Sequence, residues 1–315
     1  MVEYTGDYCG LRVHRLFWSN EMVSVKEYAY AKVNLYLDVI SRREDEFHDI
    51  RTVMHTVSLR DVVTVSVKAG AKSRVTLTVE GHSKLPTDGR NLAVKAAELF
   101  LSSTLISAEV MIRLVKNIPV AAGLAGGSTD AAAVLRALNK AFRKPLTEKR
   151  LLQLAKELGS DVPYCLLGGT ALCLGRGEII ERLPDNLELN TVIAVADEYV
   201  STPAAYAELD RIYGDFKGAR SDDFEFPFSA IMSAVSSGAL SDEKLFNIFE
   251  NAILPICSKA ECIKVKMLEL GATHALMSGS GPSVFGIYKD RTSAEAAKNE
   301  LLNMGIKAYY ATTVR

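Results

Sequence analysis

A glycine-rich segment, residues 118–130, has the residue types of a loop that binds phosphate. Gly123, Gly126 and Gly127 let backbone N–H groups converge without obstruction by side chains. A helical pattern over Asp130–Ala141 follows, and the start of a helix adds free N–H donors and a positive dipole end. The segment is not a Walker A loop, because no lysine follows the last glycine pair, and its G-x-x-G-G spacing does not match a dinucleotide-binding fingerprint. A flexible turn before a capped helix is the alternative interpretation.

A lysine and an aspartate elsewhere in the chain are candidates for chemistry beside such a loop. Lys32 lies within an apolar, strand-like run and needs a partner, because burying an unpaired ammonium is costly. Asp161, in the turn Gly159–Pro163, or a phosphate group would supply that partner, and a carboxylate there would accept a proton from a substrate hydroxyl. The alternatives are a lysine that extends to solvent at a sheet edge and an aspartate that only forms a turn.

Two further segments combine residue types that occur at ligand sites. Phe47 and His48 are adjacent, although a lone histidine is more often a core or surface residue than a ligand. Met277–Phe285 is a second glycine-rich turn, whose small residues permit close approach of a ligand or of another domain. A plain hairpin is the alternative for that turn.

The composition excludes several classes of protein. The 315 residues carry a formal net charge of −1, so binding to nucleic acid or to a membrane surface through bulk positive charge is not expected. No apolar stretch is long enough to span a bilayer. The five cysteines are scattered and include no C-x-x-C pair, which argues against a disulfide framework and a structural zinc site. They predict reduced, buried thiols in a cytoplasmic protein.

The elements that must position these residues alternate between strand and helix patterns. Helices are predicted from Asn91, over 147–158 with Thr147 as the cap, over Pro203–Ile212, Glu243–Asn251, 258–270 and 292–304. Strands are predicted over Val25–Ile40, Val53–Val67, Arg74–Val79, Ala108–Val115, after Gly168-Gly169, over Thr191–Ala196, 273–278, 283–288 and 306–313. The break at 184–186 predicts a boundary between domains at 25–185 and 186–315. Residues 1–24 are expected to be an N-terminal tail, of which 1–21 are either loose or a translation-start artefact, with the working protein starting at or near Met22.

The order of these motifs along one chain resembles that of the GHMP small-molecule kinases. The motifs are K-x-N-L from Lys32, P-x-x-x-G-L-x-G-G-S-[ST]-D from Pro119, G-S-D-V-P from Gly159 and S-G-[ST]-G-x-x-V-F from Ser278. The resemblance covers residues 25–315 and implies an α+β, two-domain GHMP kinase fold. Its N-terminal, ATP-binding domain would be like domain 2 of ribosomal protein S5, and its C-terminal domain would be ferredoxin-like.

Residues 29–37 and 42–48 are similar to one branch of that family, whose substrate is 4-diphosphocytidyl-2-C-methyl-D-erythritol. The resemblance implies phosphorylation of the substrate 2-hydroxyl by ATP, with Mg²⁺ and no other cofactor. It also implies that Asp161 is the base with Lys32 beside it, and that Ser128 is a candidate magnesium ligand. The implied nucleotide contacts are Pro119, Val120, Ala121, Ala122, Gly123, Leu124, Ala125, Gly126, Gly127, Ser128, Thr129, Asn91 and Lys116, and the implied substrate contacts are Asn34, Phe47, His48, Thr202, Pro203 and Tyr206.

The chain departs from the branch at several positions. Alanine stands at 121, 122 and 125 where the branch usually carries glycine, so the loop is expected to be stiffer and more crowded. Phe47 replaces a tyrosine and keeps its stacking face, Glu46 replaces a glycine, and Tyr30 replaces a proline.

Three other functions compete with this interpretation. They are a GHMP kinase that acts on mevalonate, its phosphate or homoserine, a catalytically idle nucleotide-binding regulator on the same fold, and a Rossmann-type dinucleotide binder. The expected partner is the small-molecule substrate alone, with no nucleic acid and no membrane. The chain is expected to be a monomer or a weak homodimer.

Overall fold

The two longest strands are formed by runs rich in β-branched and aromatic residues, which favour extended backbone. Strand β1 spans Val23–Arg42 and β2 spans His48–Ala69. The computed structural model describes residues 21–198, 200–214, 225–240 and 245–314. Most of the predicted N-terminal tail therefore lies outside the described residues, while Val23 and Ser24, at its end, belong to β1.

The chain forms two compact units, which are built from interleaved segments. In the described part of the chain, unit 1 comprises residues 21–29, Asp61–Lys116 and Asp130–Gly159, and unit 2 comprises Tyr30–Arg60, Asn117–Thr129 and the described residues from Ser160 onward.

Unit 1 is a sheet covered by helices. Strand β3 (Arg74–Glu80) runs parallel to β4 (Ala108–Val115), and β4 pairs antiparallel with residues 62–69 of β2. Helix α1 (Leu92–Thr104) begins as predicted, because the Asn91 side chain accepts a hydrogen bond from the Ala93 N–H. Helix α2 (Gly126–Ala141) contributes its residues from Asp130 onward, and α3 (Glu148–Leu158) is capped by Thr147 as predicted.

Unit 2 contains two sets of strands. In the first, residues 50–55 of β2 pair antiparallel with β5 (Thr170–Gly175), and β5 forms a hairpin with β6 (Ile179–Arg182). Strand β8 (Phe246–Asn247) runs parallel to β1 at Tyr36 and Leu37. Short helix α4 (Val162–Leu167) precedes β5, and α7 (Glu250–Ile253) follows β8.

The second set is a four-stranded antiparallel sheet of β7 (Asn190–Val195), β9 (His274–Met277), β10 (Ser283–Tyr288) and β11 (Ala308–Thr312). The order of the strands across the sheet is β11-β7-β10-β9. Helices α8 (Ser258–Glu269) and α9 (Arg291–Asn303) pack on it, so the predicted order helix–strand–strand–helix–strand is confirmed. Buried Met267, Val284 and Leu301 belong to one core cluster.

Several sequence predictions of local structure are wrong. Helix α2 begins at Gly126, four residues before the predicted start, and α4 and α6 (Glu225–Ser237) were not predicted. The predicted helix over Glu243–Asn251 is instead β8 followed by α7 in its described part, because pairing with β1 holds residues 246–247 extended. Helix α5 (Thr202–Tyr213) agrees closely with its prediction.

Two features bear on the predicted class of protein. None of the described helices combines the length and the apolar character needed to cross a lipid bilayer. The four described cysteines are free, and three of them are buried as expected. Cys262 on α8 is exposed, which contradicts the prediction for that residue, and Cys9 lies outside the described residues.

Candidate active site

Lys32 is the buried cation around which the candidate site in unit 2 is arranged. Its Nζ donates hydrogen bonds to Asn34 Oδ1 and to the carbonyl oxygen of Gly123, each at 2.7 Å. Its backbone N–H donates to the Leu124 carbonyl oxygen at 3.3 Å. Strand β1 therefore holds the glycine-rich loop through both the main chain and the side chain of one residue.

The electrostatic partner of Lys32 is Asp161, although the two do not form a direct ion pair. Burial lowers the pKa of Lys32, and the negative charge of Asp161 opposes that shift. The hydrogen bonds of the ammonium go to neutral oxygens instead. The direct pairing with Asp161 that the sequence suggested is therefore not formed, and among the described residues no carboxylate is hydrogen-bonded to the Lys32 side chain.

Asp161 lies immediately before α4 and is half-buried. Its side chain makes no capping hydrogen bond to that helix, so capping does not occupy the carboxylate. Burial together with the charge of Asp161 raises the pKa of the Cys173 thiol to about 12 and also raises the pKa of Tyr206. Asp161 is thus electrostatically coupled to Lys32, Cys173 and Tyr206.

The glycine-rich loop has a backbone that only partly suits its sequence. Gly123 has a φ of +74°, and a Cβ there would lie 2.0 Å from the Ser278 carbonyl oxygen, so glycine is required. Ala121 and Ala125 have φ values of +54° and +58°, in the left-handed region that favours glycine. Ala122 is buried. Two of the three alanine departures therefore carry backbone strain, which refines the expectation of a stiffer loop.

The end of the loop is the start of helix α2. The first helical hydrogen bond runs from the Thr129 N–H to the Ala125 carbonyl oxygen at 2.9 Å. The N–H groups of Gly126, Gly127 and Ser128 precede it, and such groups have no partner within a helix. The Thr129 hydroxyl donates to the Tyr30 carbonyl oxygen at 2.8 Å, so it anchors the loop to β1.

A second turn, residues 278–281, packs against the loop and against Lys32. Asn34 Oδ1 accepts the Gly279 N–H at 2.9 Å, and the Ser278 hydroxyl donates to the Gly123 carbonyl oxygen at 3.0 Å. Asn247 Nδ2 donates to the carbonyl oxygens of Met277 and Gly279 at 2.7 and 2.8 Å. Sequence reasoning missed Asn247, since nothing near it in the chain marks its partners about 30 residues away.

Both polar atoms of the Asn34 side-chain amide form hydrogen bonds. Its Oδ1 accepts from Lys32 and Gly279, and its Nδ2 donates to Thr52 Oγ1 at 2.8 Å. Asn34 therefore orients the Lys32 ammonium in this structure. The contact with substrate that the resemblance implies for Asn34 stays a prediction.

The residues expected to contact a cytosine base are grouped at the start of β2 and on α5. The His48 ring stacks on Tyr206, with ring centroids 4.6 Å apart, and His48 Nε2 lies 2.7 Å from Asp210 Oδ1. Phe47 is 52% exposed, and the guanidinium of Arg176 lies 4.8 Å above its ring. Sequence reasoning missed Asp210, which lies 162 residues after His48.

The remaining predicted substrate contacts, Thr202 and Pro203, lie at the start of α5. Pro203 is exposed in the first turn of α5, and Thr202 Oγ1 lies 3.0 Å from the Ser280 hydroxyl. Glu46, which stands where the branch carries glycine, has a φ of +65°. The left-handed backbone of that turn is therefore kept by a residue that adopts it less readily than glycine.

Two predicted nucleotide contacts, Asn91 and Lys116, lie in unit 1. The Asn91 side chain caps α1 and donates to the Pro86 carbonyl oxygen at 2.9 Å. Lys116 is buried and forms ion pairs with Asp61 and with Asp130, the latter at 2.7 Å. Burial by itself would lower the pKa of Lys116, but the charges of Asp130 and Asp61 together raise it.

Comparisons with known proteins give a consistent result. The family models described as "GHMP kinases N terminal domain" and "GHMP kinases C terminal" match residues 91–169 and 231–307. The 4-diphosphocytidyl-2-C-methyl-D-erythritol kinase of Caldicellulosiruptor bescii is 41% identical over 287 residues, which are 90% of this chain and 96% of that protein. The kinase of the same name from Gloeobacter violaceus is 42% identical over 87% of this chain and 89% of its own length.

A solved structure agrees with these sequence matches. The crystal structure of a 4-(cytidine 5'-diphospho)-2C-methyl-D-erythritol kinase superposes with a TM-score of 0.74 at 33% identity. The alignment covers 91% of this chain and 98% of the other.

Proposed function

The chain belongs to the GHMP kinase family, and from that premise we propose that it phosphorylates the 2-hydroxyl group of 4-diphosphocytidyl-2-C-methyl-D-erythritol with ATP. The predicted α+β, two-domain GHMP kinase fold and the prediction of an ATP-dependent kinase are confirmed. The proposal also keeps the cytoplasmic location and the monomer or weak homodimer expected from the sequence.

One observation carries the proposal: a buried ammonium is hydrogen-bonded to a glycine-rich loop, and the charge of a half-buried aspartate acts on its pKa. Lys32 Nζ contacts the Gly123 carbonyl oxygen, and its pKa responds to Asp161. Phosphoryl transfer depends on positioning and on stabilisation of charge, and a lysine with only neutral hydrogen-bond partners suits that task.

The proposed reaction gives each of these groups one role. The substrate hydroxyl oxygen bonds to the γ-phosphorus of ATP while the bond from that phosphorus to the leaving oxygen of ADP breaks. Asp161 accepts the hydroxyl proton, and Lys32 stabilises the charge of the transferring group. The N–H groups of Gly126, Gly127 and Ser128, at the start of α2, bind phosphate oxygens.

The side chains of the described residues fit a Mg²⁺ ion that binds together with the phosphates of the nucleotide. The described residues contain no group of three or more His, Cys, Asp or Glu side chains arranged to hold a metal ion. Mg²⁺ commonly binds through substrate phosphates with few protein ligands, and the Ser128 hydroxyl in the first turn of α2 would serve as one. When bound, the ion would neutralise part of the phosphate charge.

The substrate is selected in this proposal by its cytosine ring. Phe47 offers an exposed aromatic face for stacking, and the His48 ring is held in one orientation by Tyr206 and Asp210. Mevalonate and homoserine have no aromatic ring to stack on such a face.

The test is ADP release by the purified protein with Mg-ATP. We expect turnover with 4-diphosphocytidyl-2-C-methyl-D-erythritol and none with mevalonate or homoserine. Turnover with either control instead would show that the Phe47–His48 segment has been misassigned. ATP binding without turnover of any of the three compounds would favour an idle nucleotide-binding regulator.

A further inference from the structure

The hairpin between β5 and β6 carries an arginine at its tip. Gly175 and Gly177 flank Arg176 and have φ values of +69° and +109°, which is left-handed backbone. The Arg176 N–H donates to Glu178 Oε2 at 2.7 Å, and the Gly177 N–H donates to the Leu174 carbonyl oxygen at 3.1 Å. The backbone of the tip is therefore fixed independently of the arginine side chain.

The N–H donors of the Arg176 guanidinium are not used in hydrogen bonds to the described residues. Its nearest carboxylate oxygen is Glu178 Oε1, 3.9 Å from Nε, which is beyond hydrogen-bond distance. It also lies over the face of the Phe47 ring, 4.8 Å from the centroid, and, besides the hydrogen bond from Arg43, its charge helps to lower the pKa of Asp45. Among the residues that the structure describes, the side chain of Arg176 makes no hydrogen bond, and it is only about one-third exposed, at 34%.

The same hairpin tip reaches Asp161. A Cβ at Gly177 would lie 3.7 Å from the Ser160 carbonyl oxygen and 3.9 Å from Asp161 Oδ1. Arg176 is thus covalently adjacent to the residue that borders the candidate base, while its guanidinium lies over one face of the aromatic ring proposed to stack on cytosine.

We propose that Arg176 binds the diphosphate group of the substrate. The inference rests on the proposed function, in which the cytosine lies at Phe47 and the reacting hydroxyl lies at Asp161. The diphosphate connects those two ends of the substrate and so passes the hairpin tip. A guanidinium presents a planar fork of donors that matches phosphate oxygens, and Arg176 has no competing hydrogen bond among the described residues.

The role of Arg176 is distinct from that of Lys32. Lys32 donates to Asn34 Oδ1 and the Gly123 carbonyl oxygen, so it faces the loop proposed to hold the phosphates of ATP. Arg176 therefore contributes to binding of the cytidine substrate and not to binding of ATP.

Steady-state kinetics of Arg176→Met and Arg176→Lys test the proposal. Loss of a charge-assisted contact with phosphate should raise the KM for the cytidine substrate about 10- to 100-fold in Arg176→Met. Arg176→Lys should give a smaller rise, because a lysine keeps the charge but not the fork. The KM for ATP should stay within about twofold of the wild type.

Competing ligands separate the diphosphate from the base. We expect the inhibition constant of cytidine diphosphate to rise with the KM in Arg176→Met, while that of cytidine changes little. Arg182→Met, an exposed arginine on β6, is the matched control for general loss of positive charge and should leave all these constants unchanged.

The outcomes distinguish this inference from the function on which it rests. Absence of wild-type turnover with the cytidine substrate would overturn both. Wild-type turnover with an unchanged KM in Arg176→Met would overturn this inference alone. Equal rises in the inhibition constants of cytidine and cytidine diphosphate would also overturn it, since the arginine would then act on the base.

Discussion

Two buried lysines, one in each unit, have opposite surroundings. Lys32 in unit 2 donates to a carboxamide oxygen and a carbonyl oxygen, and burial lowers its pKa. Lys116 in unit 1 binds the carboxylates of Asp61 and Asp130, which raise its pKa against the effect of burial. Both are at most 9% exposed, so burial alone does not distinguish them.

The difference shows what a buried cation can be used for. The charge of Lys116 is compensated within the protein, so removing it takes the cation away from two buried carboxylates. Among the described residues, Asp161 is the carboxylate that acts on the charge of Lys32, and it does so through space, so that charge remains available to an anionic ligand. We therefore expect Lys32 to matter for catalysis and Lys116 to matter for stability.

The largest effect is expected from removing the proposed base. Asp161→Asn keeps the shape of the side chain but accepts no proton, so kcat should fall about 10²- to 10⁴-fold. Binding of ATP, measured by calorimetry, should be nearly unchanged. A loss of kcat below about tenfold would make Asp161 a structural residue.

The second-largest effect on kcat is expected from replacing Lys32. Lys32→Met should lower kcat about 10²- to 10³-fold, the usual cost of removing one donor that stabilises developing charge. In the wild type, kcat should decline on the alkaline side at a pH below 10.5, because burial lowers the pKa of the required ammonium. A variant that loses stability and keeps kcat would place Lys32 in the same class as Lys116.

Replacing Lys116, whose charge is compensated by Asp61 and Asp130, should instead lower the free energy of unfolding. Lys116→Met removes the cation that pairs with buried Asp61 and Asp130 and should cost about 3–5 kcal/mol in urea denaturation. Adding Asp61→Asn and Asp130→Asn should recover much of that loss, because the triple variant removes the two carboxylate charges together with the cation. Unchanged stability with a raised KM for ATP would support the direct nucleotide contact that the resemblance implies.

A third buried basic group, His55, extends the comparison to pH. Its ring nitrogens lie 2.9 Å from the hydroxyls of Thr170 and Thr313, and burial lowers its pKa from 6.5 to about 4. Between those pH values the unfolded chain binds a proton that the folded protein does not, so stability falls as the pH falls. The loss should reach about 3 kcal/mol near pH 4.

Denaturation curves of the wild type and His55→Gln across pH 4–7 measure this contribution as a difference. The variant should lack the part of the pH dependence that comes from the histidine. Parallel pH dependence in the two proteins would show that His55 does not resist protonation in the fold.

The smallest effects are expected in the loop beside Lys32. Ala121→Gly and Ala125→Gly relieve left-handed strain and should raise the free energy of unfolding by up to about 1 kcal/mol, after the entropic cost of glycine. Ala122→Gly is the matched control, since Ala122 is buried and is not left-handed. It should be destabilised by about 1 kcal/mol. Equal effects at all three positions would contradict the strain argument.

Much of the architecture was accessible from the sequence because its signals are local. Asn91 and Thr147 cap the helices that follow them, with acceptor and donor a few residues apart. The predicted helix over Glu243–Asn251 failed for the opposite reason, because β8 is held by hydrogen-bonded pairing with a strand about 200 residues earlier in the chain.

The sequence by itself determined the chemical groups of the site: a glycine-rich loop before a helix, Lys32, Asp161, and Phe47 with His48. Each is recognisable because residue type and short spacing carry the signal. Only the tertiary structure decided their partners. Asn247 at the second turn, Asp210 at His48 and Arg176 over Phe47 arrive from distant segments, and a single polar residue has no local pattern that predicts its distant contact. Tertiary packing likewise decided which buried lysine keeps an available charge, because desolvation and nearby carboxylates set that balance.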